Sequence, residues 1–452
     1  MCPACHKRAS IHTLGCRLNQ AESALLAEML TAAGYEIAPF GEAADLGVIH
    51  TCTVTQEADA KSRKLVRQFI RRNPEAYTAV IGCYAQMGAN TLADIPGIDL
   101  IIGNQEKLHL LDYVAAGKNT TPLIVRDRFV RNDFSIAFAA TDTPLSRRAN
   151  LKVQDGCDFM CSFCVIPFAR GRARSRDLDN LLGEARSLVA RGAKEIVLTG
   201  VNVGLYDYAG HTLVDVVDLL DGLDGLARIR ISSIEPTTAP EALLDRMADP
   251  GHRLVPYLHL PMQSGADRVL KAMGRRYTSR EFLDFARSAA ARVPDLGAGT
   301  DILVGFPGET DEDFEETCSL FEESPCFYAH VFRYSERAGT ASARMGSAVD
   351  SRVTGRRSAR IRKLSAQKER AFIDGRLGRT VNVLFEHQEG PYWTGYTEDY
   401  VRVAVQSGAN LTNRVLPVQL TRAHLDTVHG ILPGVEWQDA MRGMRPEPAR
   451  VP

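Results

Sequence analysis

Three cysteines within eight residues, Cys157, Cys161 and Cys164 in the run GCDFMCSFC, constrain this chain more than any other feature. Thiolates are the standard ligands of iron-sulfur clusters, and a C-x3-C-x2-C spacing lets one short loop wrap around a cube of iron and sulfur. Zinc is the competing occupant of clustered cysteines, but structural zinc takes four protein ligands. With three local ligands, a four-iron cube keeps one iron open to an exogenous molecule unless a distant cysteine closes it.

The other seven cysteines stand at 2, 5, 16, 52, 83, 318 and 326, so eight of the ten lie in the first 164 residues. No basic head with an apolar stretch opens the sequence, and no apolar run approaches the roughly 18 residues that cross a bilayer. The expectation is a soluble cytoplasmic protein without membrane contact, in a reducing compartment where cysteines serve metal or redox chemistry. At 452 residues, with 45% hydrophobic and 24% charged residues, the composition is that of a globular chain of two or three domains. The formal net charge is −1, so affinity for nucleic acid has to come from local basic patches.

Residues 7–117 alternate short apolar runs with amphipathic stretches, the pattern of parallel βαβ units. Strands are expected at 11–14, 46–50, 78–82 and 100–102, and helices at 20–33, capped by Asn19, and at 58–72. In such sheets ligands bind beyond the carboxyl ends of the strands. Cys16, Cys52 and Cys83 each follow an expected strand end by one or two residues, so these thiols should converge on one crevice. Three separately buried thiols are the alternative, since free cysteine is among the most buried residues.

Residues 118–147 read as a linker with one hairpin-like run. From 148 to 373, six expected strands (151–154, 195–199, 227–232, 255–260, 298–304 and 328–332) alternate with helical segments and end in a basic helix. That describes an incomplete (β/α)6 barrel with its chemistry at the C-terminal face of the strands. Residues 374–435 read as a small antiparallel β-barrel, with strands at 380–386, 392–398, 400–405 and 415–423, and 436–452 as a frayed tail. The fold class is therefore α/β: an N-terminal parallel sheet domain, a central incomplete barrel and a C-terminal small antiparallel β-barrel.

The cysteine loop resembles that of the radical S-adenosylmethionine superfamily. More narrowly, TLGCRLNQAES, HTCTVTQEADAKSR, IGCYAQ, GCDFMCSFCVIPFARGR, TGVNVG, SSIEP, LHLPMQSGADRVLKAMGRRYT and TDILVGFPGET resemble the methylthiotransferase family, in order, over residues 11–423. The resemblance implies two 4Fe-4S clusters. One, on Cys157, Cys161 and Cys164, takes S-adenosyl-L-methionine at its open iron; the other, on Cys16, Cys52 and Cys83, takes a sulfur source. It further implies that an external electron donor drives cleavage of S-adenosyl-L-methionine to a 5'-deoxyadenosyl radical, which removes hydrogen from an unactivated carbon. Sulfur is inserted there, and a second cofactor molecule supplies the methyl group. Phe163 matches the position that lies against the adenine. Gly200, Glu235, Gln263 and Ser264, all at expected strand ends, are the further cofactor contacts, with turn chemistry or a helix cap as the alternative for each. The terminal barrel resembles the TRAM domain, which contacts RNA in this family.

Within the family, TLGCRLNQAES and HTCTVTQEAD are most similar to the branch that acts at carbon 2 of N6-threonylcarbamoyladenosine at position 37, in the tRNA anticodon loop. His50 stands where that branch usually has Asn, and Phe168 where the family often has Tyr. The alternatives are the isopentenyladenosine branch and the branch acting on a ribosomal-protein aspartate. From a different class, a non-catalytic iron-sulfur protein that binds RNA is opposed by two cysteine sets that are each one ligand short. Three basic stretches suit a polynucleotide. Residues 61–72 carry six cations and no acid; Arg170, Arg172, Arg174 and Arg176 follow the cysteine loop; and 352–379 hold ten cations against two acids. Cys318 and Cys326 read as packing residues. Cys2, Cys5 and His6 form C-x2-C-H, read as an idle terminus rather than a haem attachment site.

Overall fold

The first domain is a six-stranded, wholly parallel sheet. Its strands are β1 (Arg8–Thr13), β2 (Glu36–Ala38), β3 (Leu46–Thr51), β4 (Tyr77–Gly82), β5 (Leu100–Ile102) and β6 (Leu123–Val125), ordered β2-β1-β3-β4-β5-β6. Every residue of β3 and β4 is buried, which is why both read as unbroken apolar runs: helices cover both faces of the sheet. The structure, a computed structural model, describes residues 7–114, 117–118, 121–126, 132–138, 148–424 and 427–433. Cys2, Cys5, His6, most of the expected linker and the C-terminal tail lie outside that set. No helix among the described residues is long and apolar enough to cross a membrane.

Two strands, β2 and β6, escape the sequence reading because each is three residues long and largely exposed at a sheet edge. β6 falls within the expected linker yet pairs in parallel with β5, so the sheet extends further than the sequence suggested. Helix α1 (Arg17–Ala32) starts earlier than expected, with Cys16 at its N-cap position and no side-chain cap bond. Asn19 is therefore inside the first turn. Its amide donates to the carbonyls of Leu14 (2.7 Å) and Thr51 (3.1 Å), tying together the loops that carry Cys16 and Cys52. Helix α2 (Gln56–Arg72) is capped by the Thr55 hydroxyl, and α3 (Cys83–Met87) opens on Cys83 itself.

The central domain has the six expected strands: β7 (Ala149–Lys152), β8 (Glu195–Thr199), β9 (Arg228–Ile231), β10 (Tyr257–His259), β11 (Gly297–Val304) and β12 (Tyr328–Arg333). They form two parallel three-stranded halves, β7-β8-β9 and β10-β11-β12, joined by single bridges at Ile229 to Leu254 and Ser233 to His259. The barrel is open beside β7, where α1 of the first domain packs. Thr278 with Glu281, and Thr310 with Asp313, form capping boxes that fix where two barrel helices begin.

Helix α4 (Ser351–Asp374) runs along β12 into a closed five-stranded barrel, β13 (Thr380–Glu389), β14 (Tyr392–Thr397), β15 (Arg402–Gln406), β16 (Val415–His424) and β17 (Thr427–Ile431). This barrel is not wholly antiparallel as expected: β17, unforeseen in the sequence, closes it by pairing in parallel with β15. The small barrel docks against the base of the central one. Arg228 and Arg230, 2% and 1% exposed, donate to the carbonyls of Asn382, Tyr396, Thr397 and Glu398, with the Glu195 carboxylate between them. Gly297 permits the approach, since a Cβ there would lie 2.2 Å from the Asp399 carbonyl.

Two of the basic stretches are internal struts. Arg170, Arg174 and Arg176 are buried in ion pairs with Glu22, Asp155 and Glu184, which corrects the expectation that they face phosphates. Between 352 and 379, seven of the ten cations are engaged within the protein: Arg357, Arg360, Arg370, Arg376 and Arg379 with carboxylates, and Arg362 and Lys368 with carbonyls. Arg357, Arg360, Arg362 and Lys368 staple α4 to the central barrel.

Candidate active site between two thiol sets

The first set of thiols sits at the carboxyl ends of three adjacent strands. β1 pairs with β3 and β3 with β4, and Thr51 lies opposite Gly82, so Cys52 and Cys83 leave neighbouring strands side by side. Gly15, at φ +104°, brings the third loop against them: a Cβ on it would meet the Cys52 Cβ at 2.9 Å and Sγ at 3.2 Å. The Asn104 amide donates to the Cys83 Sγ (3.4 Å) and to the Ala169 carbonyl (2.7 Å), so it links this crevice to the segment after the second thiol set.

That second set lies on the loop after β7. Gly156, at φ +71°, turns the chain so tightly that a Cβ would stand 2.0 Å from the Arg172 carbonyl. The Phe159 amide donates to the Cys157 Sγ (3.3 Å), and the Arg275 guanidinium donates to the Cys161 Sγ (3.4 Å) while also pairing with Glu235. Burial pushes the free thiols up, to about 11 at Cys52 and Cys157 and about 12 at Cys164, with Cys161 also raised. Such groups become thiolates when a metal takes the place of the proton.

A buried ionic network joins the two sets. Glu22, fully buried, accepts from Lys107, from Lys152 (2.8 Å) and from Arg170 (3.0 and 3.2 Å). Asp155 accepts from Lys152 (2.7 Å) and Arg170 (3.0 Å), with Arg174 at 3.6 Å. Burial acts to raise both carboxyls, but the cations outweigh it and hold them well below the usual carboxylate range. His50, whose Nδ1 meets the Ser23 hydroxyl at 2.8 Å, is held neutral by burial. Two carboxylates against Lys107, Lys152, Arg170 and Arg174 leave a surplus of two positive charges. An interior surplus needs an anionic partner, and Cys16 and Cys83, both within electrostatic reach of Arg170, would supply one on losing their protons.

Among the described residues, no three His, Cys, Asp or Glu side chains close on a point the size of one bare ion. The donor set instead suits a larger anionic group: three thiols per site, with the first site next to the cationic network and the second against the Arg275 guanidinium.

An open cavity of about 200 Å3 lies beside the second set and faces the segment that follows Cys52. Cys164 and Phe163 line one side, Val54 and Thr55 of the first domain another, and Gln263, Asp301 and the end of β12 close it. Phe163 is half-buried and meets Phe306 edge-on at 6.5 Å. Gln263 occupies the left-handed region at φ +64°. The other three expected contacts do not line this cavity. Gly200 packs on the Gln154 side chain, Glu235 is engaged with Arg275, and the buried Ser264 hydroxyl accepts from the Ala266 amide and meets Thr317, the contacts of a turn. Sequence reasoning missed Arg275, Asn104 and the Glu22 network. Arg275 stood inside LHLPMQSGADRVLKAMGRRYT, but only packing reveals that it reaches a cysteine.

Comparison with known proteins agrees with this architecture. Residues 151–321 match the Radical SAM superfamily, and residues 8–103 match the uncharacterized protein family UPF0004. The chain is 36% identical over 430 residues, 92% of its length and 94% of the relative's, to the threonylcarbamoyladenosine tRNA methylthiotransferase MtaB of Bacillus subtilis. It is 34% identical to the MtaB of Thermotoga maritima, covering 88% of this chain and 91% of that one. To the tRNA-2-methylthio-N(6)-dimethylallyladenosine synthase of Maricaulis maris it is 33% identical, covering 95% and 98%. Among solved structures, the radical S-adenosylmethionine methyltransferase TsrM of Kitasatospora setae shares the fold, with a TM-score of 0.50 and 15% identity over 72% of this chain and 75% of that one. The chain belongs to the radical S-adenosylmethionine methylthiotransferase family.

Proposed function

We propose that the protein methylthiolates carbon 2 of N6-threonylcarbamoyladenosine at position 37 of the tRNA anticodon loop. The tRNA-modifying activities for which its relatives are named support tRNA as the substrate. One observation carries the reading of two clusters: Cys164 lines the cavity, and the opposite wall is built from Val54 and Thr55, which stand two and three residues after Cys52. Cys157, Cys161 and Cys164 would hold the cluster that binds S-adenosyl-L-methionine, and Cys16, Cys52 and Cys83 the auxiliary one. When bound, these groups, with an external electron donor and a sulfur source, supply the radical and sulfur chemistry.

The chain's own residues orient the reactants and exclude water. Phe163 and Gln263 face the cavity beside Cys164, and Arg275 anchors Glu235 next to Cys161. A loop base is read after it is splayed out and stacked on apolar or aromatic side chains, and Val54 and Phe332, 47% and 41% exposed, stand at the cavity wall for that purpose.

Arg333 favours the threonylcarbamoyl substrate. It lines the same cavity, is exposed, and its side chain has no ion pair or hydrogen bond among the described residues, so it offers a counter-charge to the threonyl carboxylate. An isopentenyl group has no carboxylate to meet it. The Maricaulis relative keeps the isopentenyl reading in view, so the assay offers the two modified tRNAs side by side to the reconstituted enzyme and measures methylthio nucleosides by mass spectrometry. Threonylcarbamoyl tRNA should be preferred, and Arg333→Gln should erode the preference by about tenfold or more, the scale of one charge-assisted contact. Preferential turnover of the isopentenyl form by the unaltered enzyme overturns the substrate assignment.

A further inference from the structure

With two of the three basic stretches tied into the protein, α2 holds a row of free cations. Lys61, Lys64, Arg67 and Arg71 are exposed, and none makes an ion pair or side-chain hydrogen bond among the described residues. Steps of three, three and four residues put them on one face of the helix. The opposite face, Ser62, Val66 and Phe69, is buried, so the row points away from the domain core. Like charges at these spacings weaken a helix, and a local rule broken without internal compensation marks a functional surface.

The row's position gives it a direction. Thr55, the N-cap of α2, lines the cavity, and Lys61 lies six residues on, about 9 Å along the axis. From Lys61 to Arg71 the row extends about 15 Å. Because Cα–Cβ bonds tilt toward a helix N-terminus, these long side chains lean back toward the cavity. No acid occurs between residues 60 and 73; of the two acids at the start of α2, Asp59 is buried against Arg337 and Thr53, and Glu57 alone is exposed.

We propose that Lys61, Lys64, Arg67 and Arg71 form the track for the sugar-phosphate backbone of the tRNA anticodon arm and lead the loop to the cavity. The assignment rests on the tRNA reading above. It places the main electrostatic contact on the first domain rather than on α4 or the small barrel. Four phosphate contacts have a measurable signature, because each neutralised phosphate adds about 0.7 to 0.9 to the slope of log affinity against log salt.

The test compares tRNA binding from 50 to 200 mM salt by the reconstituted protein, by the variant K61Q/K64Q/R67Q/R71Q, and by R352Q/R356Q/K363Q, which removes the free cations of α4. Circular dichroism and iron content establish that each is folded and loaded; K64Q/R67Q serves if the fourfold variant is not. The α2 variant should lose about three units of slope, so that its binding defect shrinks roughly 60-fold between 50 and 200 mM. The twofold variant should lose about half as much slope. An unchanged slope in the α2 variants, or a larger loss in the α4 variant, overturns the track while the unaltered protein still binds and methylthiolates tRNA. If the unaltered protein neither binds nor modifies tRNA, the functional reading has failed instead.

Discussion

Replacing Glu22 by Gln removes one of the two carboxylates in the network between the thiol sets and leaves Asp155 against four cations. Glu22 is fully buried and is approached by Lys107, Lys152 and Arg170. Breaking a buried ion pair from one side costs about 3–5 kcal/mol. Lys107 limits that cost at higher pH: burial, then Arg170, already bring its ammonium down to about 8 against the partial support of Glu22. Without Glu22 it falls further and Lys107 sheds its proton near neutrality. A lysine with a folded value below its unfolded value binds more protons when unfolded, so stability rises with pH between the two values. In the unaltered protein that window opens only near pH 8. In Glu22→Gln it opens lower, with a slope of up to about 1.4 kcal/mol per pH unit. Urea unfolding of the metal-free proteins at pH 6, 7 and 8, followed by circular dichroism, measures this. The stability gap should be widest at pH 6, at about 3 kcal/mol or more, and should narrow toward pH 8. A gap below 1 kcal/mol at pH 6, or one that does not change with pH, refutes the account of the network.

The two thiol sets should separate by function. Alanine at Cys157, Cys161 and Cys164 should remove about four irons per chain and abolish reductive cleavage of S-adenosyl-L-methionine, whereas alanine at Cys16, Cys52 and Cys83 should leave 5'-deoxyadenosine formation but no methylthio nucleoside, as read by iron analysis and mass spectrometry. Glu195, which burial would raise but Arg230, Arg148 and Arg228 bring down to about 2, contributes stability that is present above about pH 4.5 and lost as pH falls through 2. Glu195→Gln should flatten acid unfolding in that window by about 3 kcal/mol, measured by urea titration at pH 2.5 and 5. Arg275→Met removes a cation from beside Cys161 and should move the midpoint potential of the barrel cluster more negative, on the order of 100 mV, by electron paramagnetic resonance during a redox titration.

The sequence revealed most where residues speak through period and spacing. Strands β3, β4, β8 and β11 are nearly all buried residues, and buried parallel strands leave continuous apolar runs. Helices at Leu178–Ala190 and Asp311–Glu323 begin at Asp177 and Thr310, whose side chains cap them, so their starts are written locally. β2 and β6 were illegible because a three-residue edge strand is defined by its neighbour's hydrogen bonds rather than by its own pattern. β17 was missed for a related reason: it closes the small barrel through pairs with both β15 and β16, a tertiary fact.

The site divides along the same line. A cysteine after a strand can be found from order along the chain, because the sheet brings strand ends together. A charge cannot be placed that way. Arg170 and Arg67 are the same residue type in equally basic stretches, yet one is 1% exposed between Glu22 and Asp155 and the other is exposed on α2. What separates them is whether a carboxylate distant in sequence arrives at hydrogen-bond distance, and Glu22 lies 148 residues from Arg170. Composition counts cations, whereas recognition of RNA depends on those left over after the fold has used its share. The cavity is the complement of that arithmetic: the charges spent on Glu22 and Asp155 lie by the two thiol sets, and among the unspent ones Arg333 stands on the cavity wall and the α2 row on the helix leading away from it.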